Sequence, residues 1–368
     1  MPLSFVTAGS RPVSAANRYG VDYRVEAARL PKLARTIIDA HAHINGRLAI
    51  PIWQEAADLF GVGAVNTMVR LGDAPIVREM LGDRVRFIAF PDFRADREKA
   101  MKDGFLHDIQ AFHERFGARI VKLWNAPRMR EFFPGAAGDE VVEFDSPWRV
   151  RHAELAERLG MMFMVHVADP DTWFRTRYAD AKVYGTKLDQ YRGLRVMLDR
   201  FKGPWIAAHM GGWPEDLGFL STLLEKHANL YLDTSATKWV VRELSRHPRE
   251  VVVEFFTRWR GRLLFGSDIV TTDEHLRPKA EAPKAHPMGD LADGPEAAFD
   301  LYASRYWALR TLWEMRDEGD SPIADPDLMM VDPARHDAMS APALRGLGLP
   351  REVLEDLYWG TATRLLGG

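Results

Sequence analysis

The stretch Ile37-Ile38-Asp39-Ala40-His41-Ala42-His43-Ile44 decides how the rest of the chain is read. It begins as an apolar run and ends in two histidines one residue apart. In a β-strand, side chains at i and i+2 share a face. That alternation predicts Asp39, His41 and His43 on one side of the strand and Ile38 and Ala40 on the other. Two imidazoles side by side at a strand end are half of a divalent-metal site. The alternative is an accidental pair on a solvated strand. What separates the two is whether later strands bring further ligands.

Working outward, short apolar runs recur at 36–42, 64–69, 85–90, 119–124, 161–167, 204–209, 230–234 and 262–267, with helical patterns between most of them. A strand, a loop and a helix repeated eight times predict a parallel sheet closed into a (β/α)8 TIM barrel. An open doubly wound sheet is the competing architecture, but no Gly-x-Gly-x-x-Gly turn follows the first strand. The barrel is expected to fill one domain, 1–368. Residues 1–34 form an N-terminal arm. Residues 269–349 form a long insertion after strand eight, with a lid or interface segment at 269–295, an aromatic-rich helix at 299–315 and an irregular stretch at 317–349. Residues 350–368 close the chain as a helix.

Composition narrows the function. Hydrophobic residues make up 46% of the 368 positions and charged residues 27%, as in a globular protein with a large core. Lysine plus arginine number 49 against 52 acidic residues, a net charge of -3, which gives no reason to expect nucleic acid or an anionic membrane as partner. There is no cysteine, so a metal must be held by nitrogen and oxygen. No apolar run reaches ~18 residues and no secretory leader opens the chain, so a cytoplasmic location is the default expectation. The expected partner is a small-molecule substrate. The aromatic helix, with Tyr302, Tyr306, Trp307 and Trp313, is expected either to cover the barrel or to form the face of a homodimer.

Side chains at the C-terminal ends of barrel strands converge on one mouth. Strand one brings His41 and His43 there, strand five His166, strand six His209 and strand eight Asp268, each at or just after the end of an apolar run. Seven of the other histidines fall on helices or in proline-rich loops and read as solvated or structural. His275, close behind strand eight, is left open.

At this point the chain resembles the amidohydrolase superfamily, in its amidohydrolase-related branch with the aminocarboxymuconate-semialdehyde decarboxylase-like enzymes. The resemblance rests on Asp39-Ala-His41-Ala-His43, Val121-Lys122-Leu123, Val165-His166, Ala208-His209-Met-Gly-Gly, Leu232-Asp233-Thr-Ser and Phe265-Gly-Ser-Asp268. It extends to the closing Tyr358-Trp-Gly-Thr-Ala-Thr-Arg-Leu-Leu366, where Thr361 stands in place of the usual asparagine. It implies that His41, His43, His166 and Asp268 are metal ligands. It makes His209 and Asp268 the catalytic groups. The implied cofactor is one divalent metal ion, zinc ahead of manganese or iron. A two-metal site bridged by carboxylated Lys122 is the alternative that Val-Lys-Leu fits less well. Asp39 is expected either to support a ligand or to be a buried structural carboxylate.

Trp124, Asn125, Trp173, Arg175, Arg177 and Trp213 follow strand ends and are candidates for substrate contact, with Asp233, Lys238 and Trp239 near them. Pro170–Phe174 is the expected lid element on the strand-five loop. Together these readings predict a metal-dependent hydrolase that cleaves a C–N or C–O bond of an aromatic or carboxylated molecule through activated water. Non-oxidative decarboxylation at the same site is the alternative. A catalytically inactive ligand-binding barrel is the rival from another class.

Overall fold

Each apolar run pairs in parallel with the next, so strand order follows chain order. The computed structural model describes residues 1–9, 11–93, 96–278 and 284–367. The barrel strands are β1 Ile37–Ala42, β2 Val62–Met68, β3 Val85–Ala89, β4 Ile120–Trp124, β5 Met162–His166, β6 Trp205–Ala207, β7 Leu230–Asp233 and β8 Leu263–Leu264. β8 returns to β1 through backbone bonds from Ala40 N to Phe265 O (2.8 Å) and from Asp268 N to His41 O (2.8 Å), which bring the sheet round to a barrel. The eight-stranded α/β barrel expected from the rhythm is therefore observed.

Alternate strand residues fill the interior: Ala40, Met68, Ile88, Ile120, Met162, Met164, Ile206 and Leu264 form one buried cluster, plugged by Ala362 and Leu366 of the closing segment. Their neighbours face outward into the larger core beneath the helices. Burying both faces of every strand explains why the runs read as continuously apolar.

Four details depart from the sequence reading. β1 carries a register shift between Asp39 and Ala42, a bulge that breaks strict alternation. β6 stops at Ala207, two residues before His209. The stretch 317–349, expected to be irregular, contains an antiparallel pair, β9 Glu318–Asp320 and β10 Ala343–Arg345. The N-terminal arm is strapped down by Leu3 N on Glu318 O and Ala324 N on Ala15 O, both backbone bonds.

The aromatic helix runs from Pro295 to Glu314 and is buried on nearly every side, with Tyr302, Tyr306, Trp307 and Trp313 all inside. Its aromatic side chains pack within this chain. Of the expected lid segment 269–295, residues 279–283 lie outside the described residues. Among the described residues, no helix is long and apolar enough to cross a membrane.

Candidate metal centre

The bulge in β1 sorts the opening motif. Ile38 and Ala40 point into the barrel floor. Beyond the shift, His41 and His43 also face inward, over the mouth, with ring centroids 6.0 Å apart. Asp39 does not share their face. It is buried against Ser267 (Oγ to Oδ2 2.6 Å) and against the Tyr306 hydroxyl at 3.0 Å, which in turn accepts from Trp53 Nε1. Burial raises its carboxyl to about 7, against the pull of the hydrogen bonds from Ser267, His41 N and Tyr306. Of the two roles expected for Asp39, the buried structural one fits these contacts: it ties β1 to the turn that carries Asp268.

Asp268 adopts a left-handed backbone, φ 58°, which aims its side chain back at β1. Its Oδ1 lies 3.5 Å from His41 Nε2 and 3.5 Å from His43 Nε2. Donor atoms of these three residues fall within 4.8 Å of one another. Two donors bound to one small divalent ion at about 2.0–2.1 Å in tetrahedral array stand about 3.3–3.5 Å apart, a spacing these atoms match. Burial alone would raise the Asp268 carboxyl, but the His43 hydrogen bond and the charges of His209 and His41 hold it well below the usual range. It is a carboxylate at any working pH.

His41 is oriented from behind. Its Nδ1 meets Asp233 Oδ2 at 2.8 Å, leaving Nε2 for the cavity. Asp233 Oδ1 accepts from His209 N (2.9 Å), Ser235 N (3.0 Å) and the Ser235 hydroxyl. With both oxygens so engaged, Asp233 supports the histidines, although it also falls in a metal-sized group with His41 and His209. Gly266 permits this closeness, since a Cβ there would stand 3.1 Å from the Cβ atoms of both His41 and Ser235.

On the far side, His166 ends β5 and faces His209, with Nδ1 3.1 Å from His209 Nε2. The other nitrogen of His166 meets Asp169 Oδ1 at 3.0 Å. His209 sits on a left-handed turn, with φ 58° at His209 and 51° at Met210, continued by Gly211 and Gly212. Its Nδ1 is 2.8 Å from Ser235 Oγ. Burial drives its imidazole well below the ordinary pKa, with the neighbouring His166, His41 and Lys122 pushing the same way and Asp268 opposing. Lys122, buried on β4, reaches 3.4 Å from His41 Nε2, and burial lowers its amine to about 8.

Among the described residues, the four non-glycine residues with positive φ are His209, Met210, Ala236 and Asp268. All follow the ends of β6, β7 and β8. Backbone strain is concentrated where functional side chains are aimed.

Rings line the β3–β4 side of the mouth. Phe90 packs on His43 (6.0 Å), Phe93 on Phe90 (5.2 Å), Trp124 on Phe93 (5.9 Å), and Trp124 lies 6.2 Å from His166. Trp124 is thus placed at the site. Asn125 is buried behind it, its amide on Val142 O at 2.5 Å. Trp173 donates to Asp327 at 3.1 Å, on the short helix Asp171–Phe174 within the expected lid. Arg175 is exposed, and Arg177 pairs with Glu131 at 2.9 Å. Trp213 stacks on Tyr191, with centroids 5.8 Å apart. No hydrogen bond joins these last four to the histidine cluster among the described residues. His275 is consumed by the Tyr302 hydroxyl and Met288 O, at 2.8 and 2.9 Å.

Ser235 and Asp169 were not singled out from the sequence. Ser235 lies two residues past the end of β7, on the turn that follows Asp233. Asp169 and Tyr306 carry no local signature.

The family described as Amidohydrolase matches residues 38–368 of the chain. No curated protein matches it. Among solved structures, an amidohydrolase from Burkholderia multivorans with bound zinc is 13% identical at a TM-score of 0.42, covering 90% of this chain and 98% of that one. The 2,6-dihydroxybenzoate decarboxylase from Rhizobium is 13% identical at a TM-score of 0.39, covering 73% and 98%. The 5-carboxyvanillate decarboxylase from Novosphingobium aromaticivorans, complexed with manganese and a nitrobenzoic acid, is 10% identical at 0.38, covering 74% and 96%.

Proposed function

The chain belongs to the amidohydrolase family, and on that premise we propose that it is a metal-dependent hydrolase of a C–N or C–O bond in a small aromatic or carboxylated molecule. The convergence of His41, His43 and Asp268 on donor spacings of 3.5 Å carries the reading. His166 completes the proposed ligand set from the opposite wall. The imidazole and carboxylate donors suit zinc ahead of manganese or iron. One ion is proposed, because a second would have to share the floor with the Lys122 amine.

A divalent ion held there supplies Lewis acidity, polarising a substrate oxygen and making water a nucleophile near neutral pH. Asp268, ionised and facing the cavity, takes the proton of the attacking water. His209, anchored through Nδ1 to Ser235, takes that proton up from Asp268 at Nε2 and passes it to the leaving group. The arc of Phe90, Phe93 and Trp124 receives the planar part of the substrate and excludes water from it.

That same arc favours non-oxidative decarboxylation as a second reading, since a dry aromatic wall suits loss of CO2 from an aromatic acid. Product analysis on a panel of aromatic amides, lactones and carboxylic acids separates the two. Hydrolysis places one oxygen of ¹⁸O-labelled water in the product. Release of CO2 without that incorporation overturns the hydrolase. A chain that turns over nothing on the panel while binding its members would point to an inactive barrel.

A further inference from the structure

One carboxylate beside the cluster is given no part in the chemistry above. Asp169 follows β5 by three residues, on the turn into helix Asp171–Phe174. Its Oδ1 lies 3.0 Å from His166 Nε2. Its Oδ2 accepts from the Tyr178 hydroxyl at 2.7 Å. Its backbone carbonyl accepts from Lys187 Nζ at 2.6 Å. Lys187 is itself buried, 3.2 Å from Asp171 Oδ1 and 5.3, 5.4 and 5.3 Å from the ring centroids of Phe174, Trp213 and Trp239. The aspartate is therefore fixed from three sides. A side chain caged so deeply is costly to order and is kept in one place by its partners.

An ionised carboxylate can only accept hydrogen bonds. The nitrogen facing it must then carry the hydrogen, which leaves the lone pair on the other ring nitrogen. We propose that Asp169 is a positioning residue for His166: it binds the Nε2 hydrogen and fixes the ring with the Nδ1 lone pair facing the His209 side of the cavity. Lys187 and Tyr178 hold Asp169 in the place where it can do this. The use of that lone pair as a metal donor rests on the proposed function; the orienting bond itself does not.

The test uses the full chain with ¹⁵N-labelled histidine and reads two quantities. The first, in metal-free protein, is the hydrogen-bonded ring N–H resonance of His166, assigned by its absence in His166→Gln. The second is Zn²⁺ affinity against a competing chelator. In Asp169→Ala the resonance is expected to vanish into exchange with water. Zn²⁺ affinity is expected to fall about 10–100-fold, the usual effect of removing the partner of a ligating histidine. Tyr178→Phe removes one of the contacts that hold the carboxylate and is expected to move both readouts in the same direction, by less than Asp169→Ala does. Should Asp169→Ala fail to fold, Asp169→Asn keeps the shape with a neutral acceptor, and its resonance moves upfield with a smaller loss of affinity.

A His166 resonance that persists unchanged in Asp169→Ala, or unchanged in Asp169→Asn if only that variant folds, overturns the inference. A lost resonance with unchanged Zn²⁺ affinity supports the orienting bond and removes His166 from the proposed ligands. A wild-type chain that binds no Zn²⁺ counts against the proposed metal centre, while the resonance still decides for or against Asp169.

Discussion

On the β1–β8 side of the mouth, His41, His43 and Asp268 are held by strand backbone, a bulge and carboxylates from neighbouring strands. On the β4–β6 side, the corresponding groups lean on loops. His166 depends on Asp169, and Asp169 on Tyr178 and Lys187. The Asp171–Phe174 helix is pinned in turn by Asp327, from the insertion after β8. Trp124 is positioned through its carbonyl by buried Arg149, 2.8 Å away. The first side is preformed by the barrel itself. The second is assembled from segments far apart in the chain, where substrate-adapted parts of a barrel are usually found.

If this division is right, damage to the strand-held side should be the most severe. His41→Ala removes the proposed ligand shared by both metal-sized groups. Metal content and turnover are expected to disappear together, turnover by more than about 10⁴-fold, the scale of several kcal/mol of lost charge stabilisation. Elemental analysis beside the assay checks it, and a variant that keeps its metal would break the division at its strongest point.

His209→Asn tests the other side. The metal is expected to stay while kcat falls about 10²–10⁴-fold, as for removal of a general acid or base. Unchanged turnover would remove His209 from the mechanism. Asp233→Asn sharpens the contrast, because it changes the group that orients His41. Metal affinity is expected to drop about 10–100-fold, measured by chelator competition. The same titration on Asp169→Ala then ranks the two supporting carboxylates.

The smallest effect is one of pH. Burial pushes His152 down to about 3, with Arg149 adding to it. Its Nε2 is 2.8 Å from Lys102 O, and its buried Nδ1 has no partner. A histidine whose folded pKa is depressed contributes stability that is complete above its unfolded value of about 6.5 and is lost as pH falls from there toward 3. That loss is about 1.4 kcal/mol for each pH unit. Denaturant midpoints from pH 7 to pH 5 are expected to fall less steeply in His152→Gln than in the wild type. Parallel slopes would show that the fold does not hold His152 below its ordinary pKa.

On both sides, the histidines and Asp268 were legible from the sequence. His41, His43, His166 and Asp268 lie at or just beyond strand ends, and His209 just past one, so the rhythm of apolar runs was enough to bring them together. The orientation of Asp39 was not legible. A bulge adds a residue without altering the hydrophobic pattern, and period-two counting then assigns the wrong face. Arg175 and Arg177 were proposed from nearness in sequence to β5. A loop of that length can turn its side chains outward, and Glu131 claims the second of them.

The sequence by itself determined the barrel, since eight apolar runs spaced by helical patterns can bury both faces of every strand in few other ways. It also pointed to His41, His43, His166, His209 and Asp268 as neighbours, because each lies at or just past a strand end. Tertiary structure alone decided how those residues are aimed. Asp233 on His41 and Tyr306 on Asp39 join positions 192 and 267 apart. Hydrogen bonds between such distant groups leave no periodic trace in the chain, because they depend on folded distance and not on spacing.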